Sequence, residues 1–433
     1  MRKIRVSLAS LAAIVLGLAL LGGFATTASA AHKKLKKAPK ITSKASYTAR
    51  GSVGDAYVKG ANPGQKLLLV NKKNRIVRKG KADRFGSKIF YDVKPGAVFT
   101  VRTPTGKGSQ GTSKFRVLKP GDNPSQTWYE SKPDLKAGLN YITTRDGTEL
   151  AVTVRLPYGK TSLSQGPFPT YIEYSGYQTA APHDALLGLV AGLPSSNLPG
   201  PLGDLVNTIT GSLPGSPVPD PNLTPASSTA VGSMIGPLLD FATVSVQMRG
   251  SGCSGGAFDL FGWPTTYDGY DAIETVAAQD WVKGGKVSMG GISFSGITQL
   301  FTAGTRPPHL SAVAPLSVTD DVYYGTGFPG GIFNNGFAYS WITERAEDAK
   351  PAPEGGQPWA KAMTTTGDPQ VQEPLHSEQI QHCVDNQKMR LQTRDYNKQI
   401  EQNPYRTPKL FQKRSPGAWV KKIDVPIFWV GAF

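Results

Sequence analysis

Hydrophobic and polar residues alternate along residues 46–118 in short stretches that turn signals separate. The stretches "KIFYDV" and "AVFTVR" have the period of two that is typical of strands with one buried face, and residues 62–64 and 95–96 supply Pro-Gly turns. The pattern predicts a small all-β sandwich domain over residues 46–120. The domain contains no histidine, no cysteine and no carboxylate cluster, so we expect a binding or spacer module without catalytic chemistry.

The pattern changes at about residue 128, where nearly continuous apolar strands begin to alternate with amphipathic helices. The strands include "FPTYIEYSGYQ" and "FATVSVQMRG", which are apolar enough to be buried in a parallel sheet, and a helix is predicted for "DGYDAIETVAAQDWV". A hairpin with its turn at Asp146-Gly147 precedes them. Such alternation predicts a mostly parallel sheet covered on both faces, so residues 128–433 are expected to form an α/β domain.

Two segments interrupt this alternation. Residues 182–228 are rich in Pro, Gly, Ser and Leu, which predicts a long surface loop. Residues 322–415 are rich in aromatic residues and Gly and then become helical and polar, which predicts a cap inserted over the carboxyl edge of the sheet. After the cap, "KKIDVPIFWVGAF" predicts one more buried strand.

The N-terminus has the pattern of an export signal. Three basic residues within the first five positions precede an apolar run to Phe24, and the small-x-small pattern Ala-Ser-Ala ends at Ala30. We interpret residues 1–30 as a secretory signal peptide cleaved after Ala30, which makes the protein secreted or bound to the cell envelope. A transmembrane anchor is the alternative, but Ser and Gly residues interrupt the run. Residues 31–45 are rich in Lys, Ala and Pro and predict a flexible basic tether.

Charge is distributed unevenly along the chain. Residues 31–120 contain 23 Lys and Arg against three acidic residues, a net charge of +20, whereas residues 121–433 carry −6. Such asymmetry indicates an anionic partner for the basic segment. For an exported chain we expect an envelope polymer or a membrane surface rather than nucleic acid. A surface whose charge only maintains solubility is the alternative.

The two cysteines, Cys253 and Cys383, are disulfide candidates. An oxidising compartment permits the bond, and closing so long a loop would contribute on the order of 4–5 kcal/mol in the chain-entropy model. Two free thiols remain an open alternative.

Two serines lie in sequences that resemble a nucleophile elbow, the sharp strand-to-helix turn that exposes a reactive hydroxyl. Ser254 has the better G-x-S-x-G match, but "GGAFDLFGWP" follows it and cannot begin a helix. Ser293 lies between a predicted strand and a predicted helix. Small residues, Gly291 and Ser295, flank it at the two positions where backbone atoms crowd in the turn. Ser293 is therefore the candidate nucleophile.

The ordered motifs around Ser293 resemble those of the Xaa-Pro dipeptidyl-peptidase family of α/β-hydrolases, which also includes cocaine esterase, α-amino-acid ester hydrolases and glutaryl acylases. The stretches that carry the resemblance are "FATVSVQMRGSGCSGGAFDLFGW", "YDGYDAIETVAAQDWV" and "KVSMGGISFSGITQLFTAGTRPPHLSAVAPLSVTDD".

The resemblance implies that Ser293 attacks an ester or peptide carbonyl and forms an acyl-enzyme. It also implies an oxyanion hole made by the Phe294 backbone N–H and a tyrosine hydroxyl, for which we prefer Tyr177 to Tyr174. No cofactor or metal is expected.

The resemblance implies further roles outside the nucleophile. Arg249 and Asp268 match family positions that we interpret as structural. Relatives that act on α-amino acyl groups hold the amine with carboxylates, and Asp320 and Asp321 follow a predicted strand at the ligand-binding edge of the sheet. A substrate-binding role for these two residues and a helix-capping role remain alternatives.

The general base has no evident candidate among the five histidines. In this fold the acid and the histidine follow the nucleophile along the chain, on loops after later strands. We therefore expect both beyond residue 433, in a longer protein of which this chain is a truncated and inactive part. Pairing of Ser293 with His183 or His376 is the alternative. A non-catalytic envelope-binding protein that retains the hydrolase fold is the alternative function.

Overall fold

The computed structural model describes residues 35–181, 233, 236–365, 377–408 and 410–430. The chain divides into two compact units, Met1–Lys37 and Ala38–Phe433, and all the elements named below belong to the second. The predicted signal peptide and the predicted loop at residues 182–228 lie outside the described residues. Among those that are described, no helix is both long and apolar enough to cross a bilayer.

The N-terminal module consists of two small sheets around one hydrophobic core, as the alternating pattern predicts. One sheet has the strand order β1-β8-β7-β4-β5 with β9 added to β7, and the other has the order β2-β3-β6. Leu67, Leu69, Val58 and Val101 are fully buried between them. The strands are β1 Ile41–Lys44, β2 Thr48–Gly51, β3 Ala56–Lys59, β4 Lys66–Asn71, β5 Ile76–Lys81, β6 Lys88–Phe90, β7 Val98–Thr105, β8 Gly108–Gly111 and β9 Phe115–Arg116.

Part of the predicted basic tether is a strand of this module. β1 pairs in parallel with β8, and the Ala45 N–H donates to the carbonyl of Gly111 at 2.9 Å. All four residues of β1 are exposed, so the strand is held by backbone hydrogen bonds and has no buried face. Hydrophobic periodicity could not reveal β1 for that reason. The prediction of a flexible tether is wrong for residues 38–45, because Ala38 is also buried in the module and its N–H donates to the carbonyl of Asn74 at 3.0 Å.

The α/β domain contains a six-stranded sheet in the order β10-β11-β13-β12-β14-β15. The predicted hairpin of β10 and β11 is antiparallel, whereas β13, β12, β14 and β15 are parallel, which confirms the α/β class. The carboxyl ends of the parallel strands meet at one edge, where loops can converge on a site. The strands are β10 Gly138–Thr143, β11 Glu149–Arg155, β12 Phe168–Ser175, β13 Ala242–Gln247, β14 Val282–Ile292 and β15 Leu310–Leu316.

Helices connect and cover these strands. The two helices that flank β14 along the chain lie in segments predicted as helical, but residues 264–277 of the first are all buried, so the prediction that this helix is amphipathic is wrong. Four more helices lie in the region predicted as a cap. A disulfide joins Cys383, in one of these cap helices, to Cys253 in the loop after β13. The helices are α1 Gln126–Glu130, α2 Trp263–Ala277, α3 Phe294–Ala303, α4 Phe337–Asp348, α5 Pro358–Thr364, α6 Ser377–Asn386 and α7 Tyr396–Glu401.

The last predicted strand follows the expected path but is not buried. Residues 425–430 run parallel to β15 and form isolated bridges at Val313–Ile427 and Leu316–Val430. The side chains of Phe428 and Trp429 are nevertheless 69% and 53% exposed. The segment lies at the edge of the sheet, and no described element packs over its side chains, so the prediction of a buried strand is wrong.

The module packs against the α/β domain through its carboxylates. Asp83 accepts a hydrogen bond from Gln392 at 2.7 Å, and Asp92 pairs with Arg394 at 2.9 Å and with Lys413 at 2.7 Å. Asp55 is buried and accepts the N–H of Asp92 at 2.7 Å. All three acidic residues of the module therefore take part in, or lie buried beside, its junction with the α/β domain.

Asp55 is expected to make stability fall as the pH rises. Burial, and next the charge of Asp259, raise the pKa of Asp55 to about 7, against about 3.9 in the unfolded chain. Between these values the unfolded chain releases a proton that the folded protein retains, so the free energy of unfolding falls from about pH 4 to about pH 7. In the Asp55→Asn variant, this fall in the free energy of unfolding should be smaller by on the order of 2–4 kcal/mol, as measured by denaturant titrations across the pH range. The exposed Asp134→Asn should leave it unchanged, and equal pH profiles for both variants would contradict the assignment.

Candidate active site

Ser293 occupies a strained turn between β14 and α3. Its backbone φ is 59° and its ψ is −114°, a conformation that non-glycine residues rarely adopt. The preceding Gly291 has φ +144°, and a Cβ atom there would lie 2.2 Å from the hydroxyl of Ser295. This crowding explains why both flanking residues are small. The strand, turn and helix predicted around Ser293 are thus observed, with its side chain partly exposed.

A tyrosine hydroxyl faces the serine. The Tyr177 Oη atom lies 3.5 Å from the Ser293 Oγ atom and accepts a hydrogen bond from the indole N–H of Trp341 at 3.1 Å. Tyr177 follows β12, and its own carbonyl accepts a hydrogen bond from Gln247 at 2.6 Å. Tyr174, the alternative, is buried within β12 and donates to the carbonyl of Thr265. The geometry therefore favours Tyr177, as the sequence did.

Phe294 is the first residue of α3, so its backbone N–H lies at a helix N-terminus, where the first N–H groups have no intrahelical partner. Its ring is fully buried and packs edge-on against Tyr177 at 5.4 Å between centroids. The Tyr177 hydroxyl and the Phe294 N–H, the predicted pair of oxyanion donors, thus both lie beside Ser293.

Ser254 cannot serve as a nucleophile in this conformation. Its side chain is fully buried, accepts the Ala151 N–H at 2.8 Å and donates to the carbonyl of Gln247 at 2.7 Å. The hydroxyl stabilises the glycine-rich loop after β13. The absence of a helix directly after Ser254 therefore predicted its buried, structural position, whereas the G-x-S-x-G match did not.

A buried carboxylate that we did not predict lies beneath the elbow. Glu173, in the middle of β12, accepts hydrogen bonds from the Ser295 hydroxyl at 3.1 Å and from Ser233 at 2.9 Å. Burial raises the pKa of Glu173, and the bonds from Ser233 and Ser295 act in the opposite direction. A charged residue inside an otherwise apolar strand was the available signal. No feature of the sequence indicated that Trp341 in α4 would donate a hydrogen bond to Tyr177.

The two described histidines bond to other residues. The His309 Nδ1 atom lies 2.6 Å from Glu274, and the His382 Nδ1 atom lies 3.0 Å from Glu149. His183 and His376 fall outside the described residues, so the alternative pairing of Ser293 with either of them stays untested. Within the described ranges, no cluster of three or more His, Cys, Asp or Glu residues could hold a metal ion.

A cavity of about 180 Å³ opens beside Ser293. Its described lining contains no Asp or Glu side chain, and its one charged group, Arg414, pairs with Asp259 at 2.9 Å. Hydroxyl groups of Ser293, Ser317, Thr319 and Thr326 also line the cavity, but most of its lining is hydrophobic. Its hydrophobic lining residues are Leu260, Phe261, Phe294, Ile297, Val322, Phe337, Ala338, Trp341, Ile342, Tyr396, Ile400, Leu410 and Phe411.

Neither predicted amine-binding carboxylate lines this cavity. Asp321 accepts the N–H groups of Tyr323 and Tyr324, which begin a short π-helical turn, and pairs with Arg406 at 2.7 Å. Asp320 is exposed. The capping role is thus observed for Asp321, and a substrate-binding role for Asp320 and Asp321 stays a prediction.

The other residues matched to the family in sequence form one buried cluster. Arg249 pairs with Asp146 at 3.0 Å and with Asp268, and all three side chains are at least nine-tenths buried. Ser52 of the module donates a hydrogen bond to the same Asp146. Arg249 therefore links the hairpin of β10 and β11, helix α2 and the module, which is a structural position.

Comparisons with known proteins identify relatives of this chain. Residues 146–433 match the family described as X-Pro dipeptidyl-peptidase (S15 family). Two proteins provisionally named serine esterases, from Mycobacterium bovis and Mycobacterium tuberculosis, are each 28% identical over 259 residues, which is 57% of this chain and 36% of theirs. The chain thus spans about a third of the length of these curated relatives.

Solved structures also align with parts of this chain. A CocE/NonD family hydrolase from Staphylococcus aureus aligns over 78% of this chain and 44% of its own, with a TM-score of 0.42 and 19% identity. An α-amino acid ester hydrolase aligns over 49% of this chain and 31% of its own, with a TM-score of 0.31 and 20% identity.

Proposed function

Because the chain belongs to the X-Pro dipeptidyl-peptidase (S15) family, we propose that it is a serine hydrolase that cleaves ester or amide bonds through an acyl-enzyme on Ser293. The observation that carries this proposal is the strained turn at Ser293, which holds the hydroxyl 3.5 Å from Tyr177 at the N-terminus of a helix. Such an arrangement exposes a nucleophile next to oxyanion donors.

The proposed reaction has two steps. The Ser293 Oγ atom attacks the substrate carbonyl carbon while a general base takes its proton, and the bond to the leaving alcohol or amine then breaks. Water hydrolyses the resulting acyl ester and regenerates the serine. In both steps the carbonyl oxygen acquires negative charge, which the Tyr177 hydroxyl and the Phe294 N–H are positioned to stabilise.

Tyr177→Phe is expected to lower kcat about 10²–10³-fold while leaving KM nearly unchanged. The lost hydroxyl donates only to charge that develops in the transition state, and single oxyanion donors have effects of this size. Steady-state kinetics of nitrophenyl ester hydrolysis, with the protein as the cell produces it, measure the changes in kcat and KM. Tyr158→Phe, at a tyrosine that is 55% exposed, is the matched control. An equal kcat for the two variants would remove Tyr177 from the proposed oxyanion hole.

The cavity supports an ester with an apolar acyl group more than an Xaa-Pro dipeptide. A dipeptide substrate presents a free ammonium group, which requires a carboxylate partner when it leaves water. The described lining of the cavity beside Ser293 offers no carboxylate and is mostly aliphatic and aromatic.

We expect kcat/KM for nitrophenyl esters to rise roughly fourfold with each added methylene until the acyl chain fills the cavity of about 180 Å³. An α-amino group on the same acyl chain should lower kcat/KM, because the ammonium loses hydration without a partner. A higher kcat/KM for the amino-acyl ester than for its des-amino analogue would favour the peptidase alternative instead.

We also propose that the protein is exported. The support is the leader pattern of residues 1–30 together with the disulfide between Cys253 and Cys383, since such bonds persist in oxidising compartments. N-terminal sequencing of protein from the culture medium should begin at Ala31. Recovery from the reducing cytoplasm with residues 1–30 retained would contradict the proposal.

A further inference from the structure

One surface of the N-terminal module is a patch of unpaired lysines. Lys66 on β4 lies directly opposite Lys81 on β5, and Lys79 is two residues from Lys81 on the same face of the sheet. All three side chains are exposed, and among the described residues none of the three forms a salt bridge. We name Lys66, Lys79 and Lys81 the lysine patch.

The lysine patch is not neutralised from within the module. The module contains three acidic residues, and all of them lie at the junction: Asp83 with Gln392, Asp92 with Arg394 and Lys413, and Asp55 buried behind Asp92. The acids therefore face the α/β domain. The cations of the lysine patch are therefore not neutralised by these acids, within a segment whose net charge is +20 over residues 31–120.

The register of β4 and β5 favours an anionic ligand. Side chains that are directly opposite on neighbouring antiparallel strands have Cβ atoms about 4.5–5.5 Å apart, and like charges there are destabilising. Lys66 and Lys81 form such a pair. An anion bound between them would remove the repulsion, and Lys79 extends the positive surface along the strand by about 7 Å.

We propose that the lysine patch binds a linear polyanion that carries carboxylate or phosphate groups, such as a cell-envelope polysaccharide. A polymer fits better than a membrane, because a surface that inserts into the lipid interface needs exposed apolar side chains. On this face Leu68 and Val70 are buried. Ile41, which is 44% exposed, lies on β1 at the opposite edge of the sheet, and Leu35, which is 46% exposed, precedes the first strand of the module. The proposal is independent of the proposed hydrolase activity.

The test compares two triple variants of the whole chain that lose the same charge. Lys66→Gln with Lys79→Gln and Lys81→Gln removes the lysine patch. Its control replaces three exposed lysines of the α/β domain: Lys283→Gln, Lys286→Gln and Lys361→Gln. Binding of polygalacturonate and of inorganic polyphosphate is measured at 50 and 200 mM NaCl, and circular dichroism verifies that both variants are folded.

We expect the unaltered chain to bind both polymers, with affinity falling about tenfold or more between the two salt concentrations, because exposed charges are screened. The patch variant should bind at least about tenfold more weakly at low salt, and the control variant within about twofold of the unaltered chain. Equal losses in both variants would overturn the proposal, since net charge alone would then explain binding.

Three other outcomes would also overturn the proposal. Tighter binding to vesicles of anionic lipid than to either polymer would identify a membrane surface, and tighter binding to duplex DNA would identify nucleic acid. Absence of any binding by the unaltered chain would mean that the lysines serve only to block pairing at the exposed edge strand β5. Turnover of a small soluble ester should be the same in the patch variant, so failure of the hydrolase proposal would be seen separately.

Discussion

Replacing Ser293 with alanine is expected to lower ester turnover about 10⁴–10⁶-fold and to abolish covalent labelling by a fluorophosphonate. The variant retains the cavity and the oxyanion donors but has no oxygen that can form the acyl-enzyme. With the protein as the cell produces it, single-turnover kinetics measure the loss of ester turnover, and mass spectrometry of the labelled peptide measures the loss of covalent labelling. Alanine and serine tolerate a backbone φ near 59° about equally, so the substitution should have little effect on folding.

Ser254→Ala is the matched control for this experiment. Ser254 has the better motif, yet its hydroxyl is buried between Ala151 and Gln247, so its loss should lower stability by about 1 kcal/mol and leave labelling intact. Labelling that persists in Ser293→Ala and disappears in Ser254→Ala would show that the nucleophile lies in the loop after β13.

Arg249→Gln is expected to lower the free energy of unfolding by about 3–5 kcal/mol. The guanidinium lies between Asp146 and Asp268, and all three side chains are at least nine-tenths buried. Glutamine leaves two carboxylates without a positive partner in a region from which water is excluded, and that penalty exceeds the loss of the hydrogen bonds alone. Urea denaturation followed by tryptophan fluorescence measures the change.

Arg306→Gln provides the exposed counterpart. Arg306 pairs with Asp424 at 3.5 Å, and both side chains are more than half exposed. Water screens this pair, so its loss should change stability by less than about 1 kcal/mol. If the two arginine variants lost equal stability, burial of the Arg249 cluster would not be the source of its effect.

Local sequence patterns predicted the central strands and flanking helices of the α/β domain because these elements have a clear period or a defined turn. The helix after Ser293 and the hairpin at Asp146-Gly147 are examples, since both are determined by residues close together in the sequence. β1 was missed because its four residues are all exposed and its pairing with β8 depends on backbone groups far away along the chain.

Contacts between distant segments account for most of what the sequence could not reveal about the site. Local patterns predicted the strand and the helix that flank Ser293 and the position of Tyr177 after β12, whereas the catalytic roles of both residues stay predictions. The hydrogen bond from Trp341 to Tyr177 joins residues 164 positions apart, and no local pattern predicts it. The pairing of Asp321 with Arg406, which lies 85 positions further along the chain, is a similar case.

The junction between the module and the α/β domain implies a timing constraint during synthesis. Tyr91 and Gln392, which bond across it at 2.6 Å, are 301 residues apart. At a translation rate of about 5–20 residues per second, the module leaves the ribosome roughly 15–60 s before its partner residues are made. Closing so long a loop is slow relative to the local folding of the module. Asp55, Asp83 and Asp92 therefore remain uncovered until a segment that is translated much later reaches them.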